Sequence, residues 1–100
     1  MMFFDFDWDA DKARTNLQKH EVSFRLATSV FRDPLALTIF DGEHSDNEER
    51  WVTLGRAQNE QVLVVVHTSA EVSATELHIR IISARRAEPA EVRDYEQMPR

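Results

Sequence analysis

A run of five consecutive apolar residues, Val62 to Val66, constrains the fold of this chain more than any other stretch. The run is far too short to cross a membrane as a helix, which requires about 20 apolar residues. A continuous apolar run of this length is typical of a central strand that is covered on both faces. We therefore expect a sheet that has this strand in its interior.

Periodicity and capping residues predict the elements around that strand. Residues 3–8 alternate between aromatic and acidic side chains, as a half-buried strand does. Asp9 is a suitable N-cap for a helix from Ala10 to about His20, and Ser23 for a helix through Phe31. Asp33-Pro34 ends that second helix, and the period then changes to two. Further strands are predicted at 35–40, 50–56, 61–68 and 77–85, with polar connections at 41–49 and 69–76 and a short helix from Glu88-Pro89.

The predicted order is β-α-α-β-β-β-β-α in a single domain of residues 1–100. Short links join the last four strands, so we expect them to form an antiparallel meander. The two N-terminal helices should cover one face of the sheet. The predicted class is α+β, a small antiparallel sheet with these helices and a short C-terminal helix.

Composition excludes several kinds of function. The chain has no cysteine, which rules out disulfides, thiolate zinc sites and a cysteine nucleophile. No signal peptide or membrane span is recognisable, so we expect a cytoplasmic protein with no membrane partner. The formal net charge of -6 argues against a broad surface that coats nucleic acid, but it leaves room for a local basic site.

The segment from Leu77 to Arg86 is basic within this acidic chain. It carries His78, Arg80, Arg85 and Arg86 and no acidic residue. Its alternation predicts a strand with His78 and Arg80 on one face, and arginines on a rigid strand are well suited to bind phosphate. The alternative is an edge strand whose solvated charges only prevent aggregation.

Several motifs occur together in an order that resembles the BrnT family of toxins, over about residues 3 to 96. The two most specific are W-D-x-x-K-x-x-x-N-x-x-K-H, from Trp8 to His20, and R-I-I-S-A-R-R-A, from Arg80 to Ala87. Between them lie V-S-F (22–24), F-x-D-P (31–34), a relaxed H-S-x-x-E-x-R (44–50) and L-V-V-V-H-T (63–68).

This resemblance implies an activity and its partners. Members of the family are the ribonuclease halves of bacterial type II toxin–antitoxin pairs, with a fold similar to that of RelE toxins. We therefore expect a metal-independent endoribonuclease that cleaves RNA and inhibits translation, without a cofactor. A small BrnA-type antitoxin would neutralise it, and DNA would be bound only by the toxin–antitoxin complex.

Cleavage of RNA without a metal uses the 2′-hydroxyl as nucleophile and needs a base, an acid and cations near the phosphate. We predict Arg80 and Arg85 as phosphate clamps. They lie five residues apart, so they share a face only if a bulge or the strand end turns one of them around. Arg86, expected on the Arg80 face, is the substitute. His78 and Tyr95 are candidate proton-transfer groups, and Lys12 and Lys19 candidate phosphate-binding residues.

Structural roles remain open for many of these residues. The arginines would otherwise pair with acidic side chains, and the lysines would only solvate their helix. Tyr95 would otherwise pack against the sheet, while His20 and His67 are expected to be structural. His44 lies among Asp41, Glu43, Asp46 and Glu48, but its spacing matches no metal motif, so a solvated acidic loop is expected.

Two departures from the family pattern support a second hypothesis. The family usually has Gly at the position of Glu21, and its C-terminal helix is more basic than the one here, where Glu88 and Val92 replace Thr and Arg. A less basic helix should bind RNA more weakly. The alternative function is therefore a catalytically weak or inactive module of the same fold that binds a partner protein.

Overall fold

The computed structural model describes residues 2–44 and 48–99 and has the predicted α+β class and order. Ser45 of the H-S-x-x-E-x-R motif and Asp46 of the acidic loop lie outside the described residues. The strands are β1 (Phe3–Trp8), β2 (Leu37–Asp41), β3 (Arg50–Arg56), β4 (Val62–His67), β5 (Ala70–Ser73) and β6 (Glu76–Arg86). The helices are α1 (Ala10–His20), α2 (Phe24–Thr28) and α3 (Pro89–Gln97), with 3₁₀ turns at Ser29–Arg32 and Gly42–His44.

The described strands form one sheet in the order β1-β6-β4-β3-β2, and β5 pairs with β6 beyond the end of β4. The apolar run forms β4, an interior strand as predicted, with Leu63 and Val65 fully buried. The pairs of β2 with β3, β3 with β4 and β4 with β6 are antiparallel, as a meander requires. Strand β1 pairs with β6 in parallel. Strand β6 is therefore an interior strand, and the edge-strand interpretation of its charges is wrong.

Helices α1 and α2 lie on one face of the sheet, here called the helix face. Val22, Phe24, Ala27 and Val30 form the core with residues of β4 and β6. The predicted alternation of β1 is also present, since Phe6 packs against Phe31 in a tilted arrangement and Trp8 packs edge-on against Phe24. The opposite face, here called the open face, therefore carries the intervening side chains of β1 and β6.

Helix α1 begins and ends where its capping residues indicate. The Asp9 carboxylate accepts the N–H of Lys12 at 3.0 Å, as an N-cap does. Glu21 ends the helix in the left-handed conformation, with φ of 58°. Glycine adopts that conformation without a steric cost, which gives a physical reason for the glycine that the family pattern has at this position.

Asn16 joins α1 to the edge of β6. Its side chain is buried, and its amide donates to the carbonyl of Ala84 at 2.8 Å and accepts the N–H of Ala84 at 3.1 Å. It also donates to the carbonyl of Val22 at 2.9 Å. Strand β1 ends its pairing at Ile81, so the Asn16 amide replaces a strand partner for the continuing edge of β6.

None of the described helices combines the length and the apolar character that a membrane span requires.

Candidate active site

A β-bulge in β6 determines which of its basic residues share a face. His67 lies opposite Ile81, whereas Val66 lies opposite Ser83, so Ile82 has no counterpart on β4. The extra residue reverses the alternation, because successive strand side chains point to opposite faces. Arg80 and Arg85 consequently both lie on the open face, as their roles as clamps would require.

The same bulge overturns the prediction for Arg86. Ala84 belongs to the core on the helix face, and Arg86 follows it by two residues. Its guanidinium lies 3.7 Å from the Glu21 carboxylate, which ends α1 on that side. The expectation that Arg86 shares the Arg80 face is therefore wrong, because it assumed an unbroken alternation.

A cleft of about 400 Å³ opens on the open face where β4 bends into β5. His78 and Arg80 line it from β6, and Glu48 and Glu49 line it from the segment before β3. Thr68, Ser69 and Ala70 complete the lining from the bend.

Two aspartates of β1 hold the cationic side chains of this cleft. The parallel register places Asp5 beside His78 and Asp7 beside Arg80. Asp5 accepts from Nδ1 of His78 at 2.9 Å, and Asp7 accepts from Nη1 of Arg80 at 3.1 Å. Nε2 of His78 lies 3.4 Å from Oδ1 of Asp7, which has no hydrogen-bond partner. Nε2 therefore lies close to a carboxylate but forms no hydrogen bond with it.

The electrostatics of the cleft favour a charged His78. The hydrogen bond to Asp5 raises the pKa of His78 above its ordinary value, and the charge of Asp7 adds to the effect. The side chain is 34% exposed, so a substrate can reach it. A protonated imidazole that is open to solvent is suited to donate a proton or to bind an anion.

Arg85 and Tyr95 lie away from this cleft and have structural partners. Arg85 forms a two-pronged ion pair with Glu91 of α3, at 2.8 and 3.0 Å. Tyr95 is only 3% exposed, and its hydroxyl donates to Asp33 at 2.5 Å. Burial and the Asp33 carboxylate raise the pKa of Tyr95. Its ring and hydroxyl are both enclosed, as in the structural alternative, and the candidate role of Tyr95 in proton transfer stays a prediction.

A second groove, of about 320 Å³, lies between α1 and the bulge of β6. Lys12, Lys19 and His20 line it together with Ile82 and Ser83. Neither lysine forms an ion pair within residues 2–44 and 48–99, unlike the three arginines of β6. The groove thus combines two free positive charges, and His20 lines it rather than continuing the buried core.

His67 lies on the helix face, where it is buried and hydrogen-bonded. Its Nδ1 donates to the Thr68 carbonyl at 2.8 Å, so Nε2 accepts from the Thr53 hydroxyl at 2.7 Å. Burial lowers the pKa of His67. The structure thus gives it a neutral imidazole that joins β4 to β3, which is a structural role.

Sequence reasoning missed Glu48, Glu49 and Thr68 as cleft residues. It interpreted residues 41–49 as a solvated acidic loop. Nothing in the local sequence indicates that the start of β3, which Glu48 and Glu49 precede, lies close to β6 in the sheet. The sheet order is the signal that brings them together. In the described part of the chain, no three side chains of ligand type converge as a metal site requires.

Comparison with known proteins gives a family and a similar fold. A family model described as "Ribonuclease toxin, BrnT, of type II toxin-antitoxin system" matches residues 8–91. No curated protein matches the chain. The crystal structure of the Brucella abortus ribonuclease toxin BrnT is similar to this chain, with a TM-score of 0.56 and 20% sequence identity. That match covers 87% of this chain and 99% of the other, and at this identity it supports the fold alone.

Proposed function

This chain belongs to the family of BrnT ribonuclease toxins from type II toxin–antitoxin systems, and we propose that it cleaves RNA at the open-face cleft without a metal ion. The observation that carries this proposal is the pairing of His78 with Asp5 and of Arg80 with Asp7 in one accessible cleft. These contacts supply an acid and a cation side by side.

The roles follow from the chemistry of the reaction. The 2′-hydroxyl of a nucleotide attacks the adjacent phosphorus, and negative charge grows on the phosphoryl oxygens. Arg80 stabilises that charge, since a guanidinium binds two oxygens at once. His78 donates its Nε2 proton to the leaving 5′-oxygen, while Asp5 holds the imidazole charged and oriented.

Lys12 and Lys19 are proposed to bind the RNA strand beyond the cleft. Their groove is lined by Ile82, which follows Arg80 by two residues, or about 7 Å along a strand. The groove lies on the α1 side, at the edge of β6 where pairing with β1 has ended, so we propose that an RNA strand crosses this edge and brings a neighbouring phosphate to the lysines. Arg85, Arg86 and Tyr95, in contrast, are proposed to act structurally, because none of them lines the cleft and each is bound by a carboxylate outside it.

The partners follow from the family. A type II system implies an antitoxin, and we propose that it is of BrnA type and that DNA is bound only through the complex. Cleavage of RNA by residues 1–100, acting as one domain in the cytoplasm, would inhibit translation. Because Glu48 and Glu49 line the cleft beside the Asp5–His78 and Asp7–Arg80 pairs, carboxylates outnumber cations there, and we propose that the ribosome supplies further RNA contacts.

Incubation of the purified protein with cellular RNA in EDTA tests this function. We expect the wild type to cleave and Arg80→Ala to be inactive although folded. Arg14→Ala is the matched control, because Arg14 also pairs with an aspartate, Asp11 at 3.0 Å, but on an exposed helix face. Absence of cleavage by the wild type, with and without ribosomes, would contradict the proposal.

A second candidate function has one observation in its favour. All three arginines of β6 are paired with carboxylates of the chain itself. In a module that binds only a partner protein, these arginines would stay paired with carboxylates of the chain and would never bind a phosphate. Toxicity on expression separates the two functions, since the binding module would not arrest growth.

A further inference from the structure

The acid and the cation of the cleft leave one catalytic role unfilled, which is the base for the 2′-hydroxyl. We propose that the two consecutive carboxylates Glu48 and Glu49 supply this general base. The inference rests on the proposed ribonuclease function and extends it to residues that the motif comparison did not assign to catalysis.

The composition of the cleft leads to these residues by elimination. His78 is the acid of the proposed reaction, and Arg80 has no basic form at working pH. The Thr68 hydroxyl accepts the N–H of Arg80 at 3.3 Å. The two aspartates nearby are bound to His78 and Arg80, and the remaining oxygen of Asp7, Oδ1, is buried.

Glu48 and Glu49 differ from those aspartates. Both side chains are exposed, and no ion pair joins either one to another described residue. They are the carboxylates that line the cleft itself. A free carboxylate beside the substrate is the chemistry that abstraction of a hydroxyl proton needs.

The sheet order places base and acid on opposite walls. Glu48 and Glu49 directly precede β3, whereas His78 and Arg80 lie on β6, and residues 68–70, which follow β4, run between the two segments. Neighbouring strands are about 4.8 Å apart, so the two walls are separated by about 10 Å. A phosphodiester fits this gap with its 2′-oxygen towards β3 and its 5′-oxygen towards β6, as in-line attack requires.

The step balances without a further reactant. The glutamate takes the 2′-hydroxyl proton as the 2′-oxygen forms its bond to phosphorus. The bond from phosphorus to the 5′-oxygen breaks, and that oxygen takes the proton from His78. The products are a 2′,3′-cyclic phosphate and a 5′-hydroxyl, with the glutamate protonated and His78 neutral.

The test compares Glu48→Gln, Glu49→Gln and the double variant with Glu43→Gln. Glu43 belongs to the same acidic stretch but does not line the cleft, so its variant removes an equal charge. We expect one single variant and the double variant to lose about 10²- to 10⁴-fold in kcat, with KM unchanged or lower. Glu43→Gln should retain the wild-type rate.

A further readout distinguishes a base from a structural role. Added formate should restore part of the rate to a double Ala variant, because formate can take the place of the missing carboxylate, whereas it would not restore a misfolded site. A double Gln variant that keeps the wild-type rate would overturn the assignment, whereas an inactive wild type would overturn the ribonuclease function itself and the base with it.

Discussion

At the scale of single residues, the contact of Asp5 with His78 is proposed to set the pH range in which the cleft cleaves RNA. The hydrogen bond from Nδ1 keeps the pKa of His78 above the ordinary value of about 6.5. The stabilisation from this pair is fully present below the unfolded-state value and is lost as pH rises through the folded-state value. The alkaline limit of activity should coincide with that loss, since neutral His78 cannot act as an acid.

Substitution of Asp5 tests this contact. Asp5→Asn should lower the pKa of His78 and shift the alkaline limit of RNA cleavage to lower pH, because the carboxylate that favours the charged ring is gone. The measurement is an NMR titration of His78 beside a pH–rate profile. An unchanged titration of His78 would show that Asp5 does not hold its proton.

Asn16 provides a second test at this scale. Asn16→Ala leaves the buried N–H and carbonyl of Ala84 without partners, so the free energy of unfolding should fall by about 2–4 kcal/mol. Gln18→Ala, an exposed amide on the same helix, should change it by less than about 0.5 kcal/mol. If both variants lowered the free energy of unfolding equally in urea denaturation, Asn16 would not stabilise the edge of β6 as described.

The sequence predicted these residue contacts unevenly. Alternation correctly placed His78 and Arg80 on one face, because neighbours on a strand follow a local rule. It named a bulge as a condition for Arg80 and Arg85 to share a face but could not place it at Ile82, since nothing in the residue types of R-I-I-S-A-R-R requires an extra residue there. It also missed Asp5 and Asp7 as partners, because the parallel pairing of β1 with β6 joins residues that are 73 positions apart.

At the scale of elements, polar contacts of Tyr95, Glu91 and Glu96 hold α3 to the rest of the fold. Tyr95 donates to Asp33, and Glu91 binds Arg85 while it also accepts the N–H of Glu88 at 2.8 Å. Burial raises the pKa of Asp33, but hydrogen bonds from Arg56, Tyr95 and Leu35 outweigh burial and lower it overall. Its contribution to stability is therefore present above the unfolded-state pKa and is lost as pH falls through the folded-state value.

Removal of the Tyr95 hydroxyl separates structure from catalysis. Tyr95→Phe should lower the free energy of unfolding by about 1–2 kcal/mol and should leave kcat near that of the wild type. Thermal unfolding and RNA cleavage measured on the same sample check both parts. A stable but inactive Tyr95→Phe protein would return Tyr95 to the list of catalytic residues.

Element boundaries were predictable where capping and proline rules apply. The predicted bounds of β1 and β3 and the start of α1 are confirmed, and Pro89 begins α3 as expected. Strand β5 was missed because its four exposed residues show no apolar alternation, and only pairing with β6 makes it a strand. The second helix shortens to α2 and a 3₁₀ turn, in which Ser29 donates to the carbonyl of Leu26 instead of extending the helix.

At the scale of the whole molecule, the chain has a net charge of -6, and its basic strand β6 is neutralised by ion pairs with acidic residues of the same chain. Acidic side chains of β1, of α3 and of Glu21 at the end of α1 each bind one arginine of β6. The basic strand therefore adds little unpaired positive charge to the acidic surface of the described residues. Acidic residues of the chain thus orient the basic side chains of β6. The sequence alone did not reveal these pairs, because they depend on the order of the strands in the sheet.

The most direct test of this account is the chemical nature of the ends that the protein leaves on RNA in EDTA. The proposed reaction predicts 2′,3′-cyclic phosphate and 5′-hydroxyl ends from the wild type, and none from Arg80→Ala. Ends that carry a 3′-hydroxyl and a 5′-phosphate, or cleavage by Arg80→Ala at the wild-type rate, would contradict the attack of the 2′-hydroxyl in this cleft.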